Sequence, residues 1–224
     1  MGVGAEVVIV VPVLGRPQNV KPLLDSIRET TPTGRVLFVA DPGDHEEHRA
    51  IEAEGEEMLI VDGNYAKKIN RAIEETDEPL IFQGADDLRF YPGWLEAAKA
   101  KLAPGIGVVG VNDLNSKRVM AGTHADHALI TREYTKLGTI DDPTKVLHER
   151  YPHEYVDDEF IETAKMRGAF VSAPDSIVEH LHPNSGKGEM DELYSKAGRR
   201  MLIGRMIFRW RRRKWAGRSA PDRA

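Results

Sequence analysis

The chain has 224 residues, with 31 Lys and Arg against 36 Asp and Glu, a net charge of −5 and no cysteine. Such a length suits one large domain or one domain with a small appendage, and the missing cysteines exclude disulfides, thiolate zinc sites and thiol nucleophiles, in keeping with a reducing cytoplasmic setting. No apolar run is long enough to span a membrane and Val7 to Val13 lacks the flanks of a signal peptide, so a soluble chain is expected.

Glu6 to Val13, EVVIVVPV, is a continuous valine-rich run of strand length, as a central parallel strand covered on both faces requires. After LGRPQN, the apolar spacing of Val20, Leu23, Leu24 and Ile27 predicts a helix from about Gln18 to Glu29. Val36 to Ala40 predicts a second buried strand ending at Asp41, so the chain opens as a βαβ unit with a right-handed crossover. Glu46 to Glu57 reads as a charged, solvated helix and Met58 to Val61 as a third strand. Asp62-Gly63-Asn64 then turns into a helix carrying Tyr65, Ile69, Ala72 and Ile73 on one side and Lys67, Lys68, Asn70 and Arg71 on others. Leu80 to Phe82 is a fourth strand and Gly93 to Leu102 a further helix. The first hundred residues therefore alternate strand and helix, the pattern of a doubly wound, mostly parallel sheet with helices on both faces.

Asp86 and Asp87 follow that fourth strand after only Gln83, Gly84 and Ala85, which places two adjacent carboxylates at a carboxyl edge, where open α/β sheets bind ligands. Like charges this close repel, and a cation shared with an anionic ligand relieves them; Mg2+ or Mn2+ bridging to a diphosphate fits. No G-x-G-x-x-G or P-loop string follows either early strand, so a Gly-rich pyrophosphate cradle is not expected.

The stretches PVLGRPQNVKPLLDSI, the strand ending at Asp41, Asn64 through Asn70 leading to RAIEETDEPLIF, and GADDLRFYPGWL together resemble the family 2 glycosyltransferases of the GT-A fold. The resemblance covers Glu6 to about Pro183 and is best in the first hundred residues. It implies a single catalytic domain over residues 1–197, with a nucleotide-sugar-binding half to about 103, an acceptor half beyond it, and a basic helix and tail over 198–224. It places Asp87 on the metal-binding aspartate of a DXD-type motif and Asp86 on its middle position. Ala85 stands where the first aspartate is usual, which leaves open whether Asp87 alone or both neighbours hold the metal. Pro12, Arg16 and Asp41 then lie where base and ribose are held, with Lys67 or Asn70 approaching the phosphates. The donor implied is a UDP- or GDP-sugar and the cofactor Mn2+ or Mg2+. Arg16 and Lys67 suit phosphate, and Asp41 suits a ribose hydroxyl or uracil.

Beyond residue 104, Gly107 to Val111 and Ala128 to Ile130 read as strands. Between them Asn112 to Asp126 is a polar loop on the acceptor side, where His124 and His127 are expected to face solvent. Asp157-Asp158-Glu159 opens a helix that ends at Gly168. By the resemblance, Asp157 is the general base for the acceptor hydroxyl in an inverting transfer and Asp158 its rival, although Val156 replaces a glutamate. Ala173 to His182 predicts a last strand ending in His180 and His182; the family brings a histidine from here to the metal, and His180 matches it better. The glycine-bearing NSGKGE that follows suits a lid.

Residues 198–224 hold ten Lys and Arg and one acid, which leaves −14 on residues 1–197. Leu202, Ile203, Met206, Ile207 and Trp210 share one helical side, with Arg205, Arg209 and Arg212 opposite. This segment can pack its apolar stripe on the acidic body, lie on the inner surface of an anionic membrane as a peripheral contact, or grip nucleic-acid phosphate. The sequence thus leads to a metal-dependent, inverting glycosyltransferase with an unidentified acceptor. The alternatives are an inactive GT-A binding module, drawn from Ala85 and Val156, and a sugar-phosphate nucleotidyltransferase, which the single glycine of PVLGRPQN argues against.

Overall fold

The computed structural model describes residues 5–183, 186–188, 190 and 197–217; residues 218–224 of the basic tail lie outside it. Strand β1 (Val7–Pro12) is buried along its whole length, as a valine-rich run without a polar face must be. It pairs in parallel with β2 (Arg35–Ala40) and with β4 (Leu80–Gln83), and β2 pairs in parallel with β3 (Glu57–Ile60). Beyond β4 lies β7 (Ala128–Thr131), antiparallel both to β4 and to β6 (Val108–Asn112). Next comes β8 (Phe170–His180), parallel to β6, and last β5 (Leu88–Phe90), antiparallel to β8. The eight strands run in the order β3-β2-β1-β4-β7-β6-β8-β5.

Alternate residues of β1 feed opposite cores. Val7, Ile9 and Val11 pack in one cluster with Leu23, Ile27, Ile51 and Trp94, from α1 (Pro17–Thr30), α2 (His45–Ala53) and α4 (Trp94–Lys99). Val8 and Val10 join the other cluster, with Ile69, Ala72, Phe160 and Ile161 from α3 (Tyr65–Glu74) and α7 (Val156–Met166). The short helices α5 (Lys117–Met120) and α6 (Arg132–Thr135) flank β7. The expected α/β sheet with helices on both faces is therefore present, with β5 and β7 as antiparallel insertions in its second half.

Strand β5 escaped the sequence reading because three residues carry too short a pattern to separate from a turn. It docks through aromatic packing: Trp94 is fully buried, with its ring centroid 4.9 Å from that of Phe82 and 5.0 Å from that of Phe90, and its indole N–H donates to Thr31 Oγ1 at 2.8 Å. Strand β8 pairs with β6 regularly up to Val111 with Ala173, then resumes at Asn112 with Ile177, so Pro174, Asp175 and Ser176 loop out. Ser176 is buried there and donates its hydroxyl to Trp94 O at 2.7 Å.

The region read as a solvated helix also differs. Helix α2 ends at Ala53 and buries Ile51 together with Glu47, whose Oε2 accepts the Arg16 backbone N–H at 2.8 Å. Its other oxygen is buried with no hydrogen-bond partner among the described residues, burial raises the carboxyl's pKa, and no apolar periodicity signals such an arrangement.

The C-terminal helix α8 (Ala197–Arg212) packs on α7, but not by the stripe expected. Gly204, Arg211 and the following Trp215 are buried, and Ile207 and Phe208 are half-buried, whereas Leu202, Ile203, Met206 and Trp210 are exposed. Two local features select this face. A Cβ on Gly204 would meet Glu154 O at 2.5 Å, so only glycine permits the close approach. The Arg211 guanidinium then reaches Glu159 with Nε and Nη2 each 2.6 Å from a carboxylate oxygen, and Asp141 at 2.8 and 3.0 Å.

Candidate active site

The sheet topology sends several loops to one edge. Strands β1, β2, β4, β6 and β8 all end there and the antiparallel β7 begins there, so Arg16, Asp41, the Asp86-Asp87 pair, Asp113, Asp126-His127 and His180 converge from separate parts of the chain. Asp86 and Asp87 occupy the tight connection between β4 and β5. Arg16 Nη1 lies 3.3 Å from Asp86 Oδ1 and 3.5 Å from Asp87 Oδ2. Burial and the adjacent Asp87 charge push the Asp86 carboxyl up to about 7 despite Arg16. His180 Nε2 is 3.3 Å from Asp87 Oδ2. Although burial works against the charge, that hydrogen bond and the carboxylate behind it hold His180 above its ordinary value. His180 Nδ1 is buried without a hydrogen-bond partner among the described residues. The His182 and His127 rings each pack edge-on against His180, with centroids 5.2 Å away.

A second group of acids continues from His180. Ligand atoms of Asp113, Asp126 and His180 lie within 4.8 Å of one another, and so do those of His124, Asp126 and Asp157. Asp126 belongs to both groups and joins the Asp87 side of the site to the Asp157 side. His124 Nε2 stands 2.9 Å from Asp157 Oδ2 and 3.1 Å from Asp126 Oδ1. Burial opposes a charge on His124, yet the hydrogen bonds to Asp126 and Asp157 push it up to about 9. Burial and the neighbouring His180 push His127 down to about 4, so His127 is a neutral ring that leans on Gln83 O. The remaining acid of the pair, Asp158, is tied to Arg118 Nη1 at 2.7 Å. Tyr65 lies between the two halves: its hydroxyl is 3.1 Å from Gly84 O, and burial with the Asp157 and Asp87 charges raises its pKa.

Backbone strain brackets this acceptor-side group. Leu114, just after Asp113, has φ 53°, and Tyr155, just before α7, has φ 73°. A non-glycine residue held in this region costs about 1–3 kcal/mol and persists where its surroundings over-determine it. Here the surroundings include Asp113 accepting the N–H groups of Asn115 and Ser116 at 2.9 and 3.0 Å.

Several expected positions are relocated by the structure. Asn70 does not reach the edge: it is buried, its Oδ1 accepts from Val146 N and Leu147 N, and its amide donates to Leu147 O and Glu149 Oε1. With Asn64, which bonds Glu149 O and Tyr151 O, it clips residues 146–151 onto α3. Lys67 is exposed one turn into α3, alongside Gly63. Its neighbour Lys68 is the buried cation, bonded to Val13 O at 2.8 Å and to the Asp41 carboxylate. His124 and His127, expected in solvent, are only 3% and 6% exposed because they face carboxylates and β4. What makes a buried imidazole favourable at His124 is the carboxylates of Asp126 and Asp157, which the fold brings beside it from separate parts of the chain and no local pattern announces. Of the stretch read as a lid, Asn184, Ser185 and Glu189 lie outside the described residues; Lys187 bonds Leu114 O at 2.9 Å and Glu179 at 2.8 Å.

The His124 ion cluster sets a pH dependence. A histidine raised from 6.5 to about 9 contributes stability that is fully present below about pH 6.5 and is lost as pH rises through 9, roughly 3 kcal/mol in all. Chemical denaturation at pH 6, 7.5 and 9 should record that loss, and His124→Gln should flatten it; an unchanged slope in the variant would place the titration elsewhere.

The donor set fits a hard divalent cation: adjacent carboxylates, one of them pushed up to about 7 by burial and by the other's charge, and a buried imidazole nitrogen that has no hydrogen-bond partner among the described residues. No family model matches the sequence, and no curated protein matches it in sequence. Solved structures do match in fold. A mannosyltransferase from Pyrobaculum calidifontis, in complex with GDP-Man and Mn2+, has a TM-score of 0.60 at 14% identity, over 96% of this chain and 76% of that one. Glucosyl-3-phosphoglycerate synthase from Mycobacterium tuberculosis, in complex with Mn2+, UDP and phosphoglyceric acid, has a TM-score of 0.62 at 14% identity over 92% and 78%. TarS 1-349 of S. aureus has a TM-score of 0.62 at 13% identity over 91% and 72%. At these identities the likeness speaks to architecture alone, and the architecture is the GT-A fold of glycosyltransferases.

Proposed function

We propose that the chain is a metal-dependent glycosyltransferase that moves a sugar from a nucleoside-diphosphate sugar to an acceptor hydroxyl with inversion. The observation that carries this reading is the unbroken series Arg16, Asp86, Asp87, His180, Asp126, His124, Asp157 along the carboxyl edge of the sheet. In it, a cation-binding group and a candidate base belong to one site. The similar structures with GDP-Man or UDP and Mn2+ support the donor class. Asp87 and His180, with Asp86 beside them, would hold Mn2+ or Mg2+, which when bound neutralises charge developing on the diphosphate leaving group.

The protein's own groups divide the remaining work. Arg16 offers a guanidinium for the diphosphate, and Asp41, fixed by Lys68, offers an acceptor for a ribose hydroxyl or base. Asp157 is the base that takes the acceptor proton. His124 holds its Oδ2 with a donated N–H and so fixes which carboxylate oxygen faces the substrate. Asp158 is committed to Arg118 and is the weaker candidate. Ala85, whose substitution for an acid favours an inactive module, packs against the core, while Asp113 and Asp126 bring carboxylates to the same edge from other loops.

The test is a thermal-shift series with UDP, GDP and their sugars, with and without Mn2+, since a ligand bound by the folded state alone raises the midpoint. A metal-dependent shift with one nucleotide is the expected result, and none with any nucleotide would sink the reading. Because Asp86 keeps its proton up to about pH 7 and protons compete with the cation, the Mn2+ shift should be larger at pH 8 than at pH 6. His124→Ala should lower kcat about a hundredfold with little change in the donor KM, as expected for a residue that positions a base. A matching fall in both kcat and donor affinity would assign it to donor binding instead.

A further inference from the structure

Helix α8 is amphipathic in an unusual sense: both its inner and its outer side carry apolar residues. Its inner side is satisfied by the body through Gly204, Ile207, Phe208 and Arg211. Its outer side exposes Leu202 at 64%, Ile203 at 42%, Met206 at 72% and Trp210 at 51%. At about 100° per residue, Met206 is at the centre of this side, with Leu202 and Trp210 one turn away in each direction. Arg199 and, just past the helix end, Arg213 fall among them, and Arg209 and Arg205 lie at the margin, all exposed. An apolar strip of this kind on a soluble surface marks a contact site.

Charge decides among the occupants. A second copy of the chain would set these arginines against their own equivalents in any two-fold pairing of α8, a like-charge arrangement that opposes association. Nucleic acid would employ the arginines on phosphates but gives Leu202, Ile203 and Met206 no apolar surface to bury. An anionic bilayer takes both, with the aliphatic side chains in the boundary between headgroups and acyl chains, the tryptophan at headgroup level and the arginines on acidic headgroups. The acidic body, −14 over residues 1–197, would be repelled by the same surface, which favours contact by the helix alone.

We propose that α8 is an interfacial anchor: it lies in the plane of an anionic membrane surface with Leu202, Ile203, Met206 and Trp210 inserted and Arg199, Arg205, Arg209 and Arg213 on acidic headgroups. The inference does not depend on the transferase reading, and its test uses no activity. The full chain is sedimented with vesicles of phosphatidylcholine mixed with phosphatidylserine, and with phosphatidylcholine alone, over a range of salt. Binding should require phosphatidylserine and weaken with salt. The tryptophan emission should shift to the blue, since Trp94 and Trp215 are buried and Trp210 is the exposed reporter. Met206→Glu and Trp210→Glu should each weaken binding by about tenfold or more while leaving circular dichroism and the thermal midpoint unchanged, because both positions face solvent. Failure to bind either vesicle overturns the proposal. So does binding that survives both substitutions, self-association lost in Met206→Glu without vesicle binding, or retention of duplex DNA without vesicle binding.

Discussion

Asp87→Ala is expected to lower turnover of a nucleoside-diphosphate sugar by about three orders of magnitude, the order of loss when a main electrostatic stabiliser of the transition state is removed. Two contacts single out Asp87 over its neighbour. Its Oδ2 is the oxygen approached by His180 Nε2 at 3.3 Å, and its backbone oxygen accepts from Leu181 N at 2.8 Å, so the carboxylate and the histidine are fixed to each other by the β5–β8 pairing. Burial and the Asp87 charge push the Asp86 carboxyl up to about 7. Asp86→Asn should therefore cost less, about tenfold to a hundredfold, as for residues that support a metal ligand. The measurement is kcat at saturating donor together with the Mn2+-dependent thermal shift for both variants. Equal losses in both readouts would mean that the two carboxylates hold the cation jointly, and an Asp87→Ala protein that keeps its turnover would refute the metal-dependent mechanism.

The largest effect on stability is expected from Arg211→Met. Arg211 is 1% exposed, Glu159 beneath it is 3% exposed, and the Tyr151 hydroxyl donates to Glu159 Oε2 at 2.7 Å. Removing the guanidinium leaves a buried carboxylate with only a phenol to satisfy it, which typically costs about 3–5 kcal/mol. In a chain of this length that corresponds to a fall of about 6–20 °C in the thermal midpoint. The paired change Arg211→Met with Glu159→Gln should recover most of the loss, since replacing both charges removes the orphan and an ion pair of this kind adds little over apolar packing. A single variant that melts like the wild type would show that α8 is held by Phe208 and Trp215 rather than by the ion cluster.

The sequence made the first half of the sheet legible because each strand there is a short apolar run that ends on a breaker, and Val7 to Pro12 needs no partner to announce its burial. Arg16, Asp41 and His180 were reached through the family resemblance, and residue pattern alone made the site legible only where residues lie next to one another in the chain. Asp86 and Asp87 are contiguous and Asp157 opens a helix, so both stood out. Asp113, Asp126 and His124 did not, because what makes them a group is the antiparallel β7 entering the same edge from which β6 departs, and no local pattern records a strand reversal. Lys68 and Asn70 show the converse. As helix surface residues they read as polar, yet one side chain neutralises Asp41 and the other clips a distant loop. For helix α8 the partner of the stripe was left open for a related reason: hydrophobic spacing identifies a stripe without saying what the stripe meets, and the Glu159 carboxylate drew an arginine inward in place of methionine and tryptophan.

The three residues that loop out of β8 before Ile177 have a consequence for how this chain tolerates change in length. Successive strand residues point to opposite faces, so an odd insertion inverts the facing of everything that follows it. His180 is aimed at Asp87 because pairing resumes at Ile177 with Asn112 and continues at His180 with Leu88. Deleting or duplicating one of the three looped-out residues, with the shift absorbed downstream, would offer Glu179 or Leu181 to the site in place of the imidazole; a change of two residues would restore the facing. Because β5 and β6 pin Ile177, Val178 and His180, a length change confined to residues 174–176 should leave the imidazole in place, whereas one that slips the pairing by a single residue should remove it from the site.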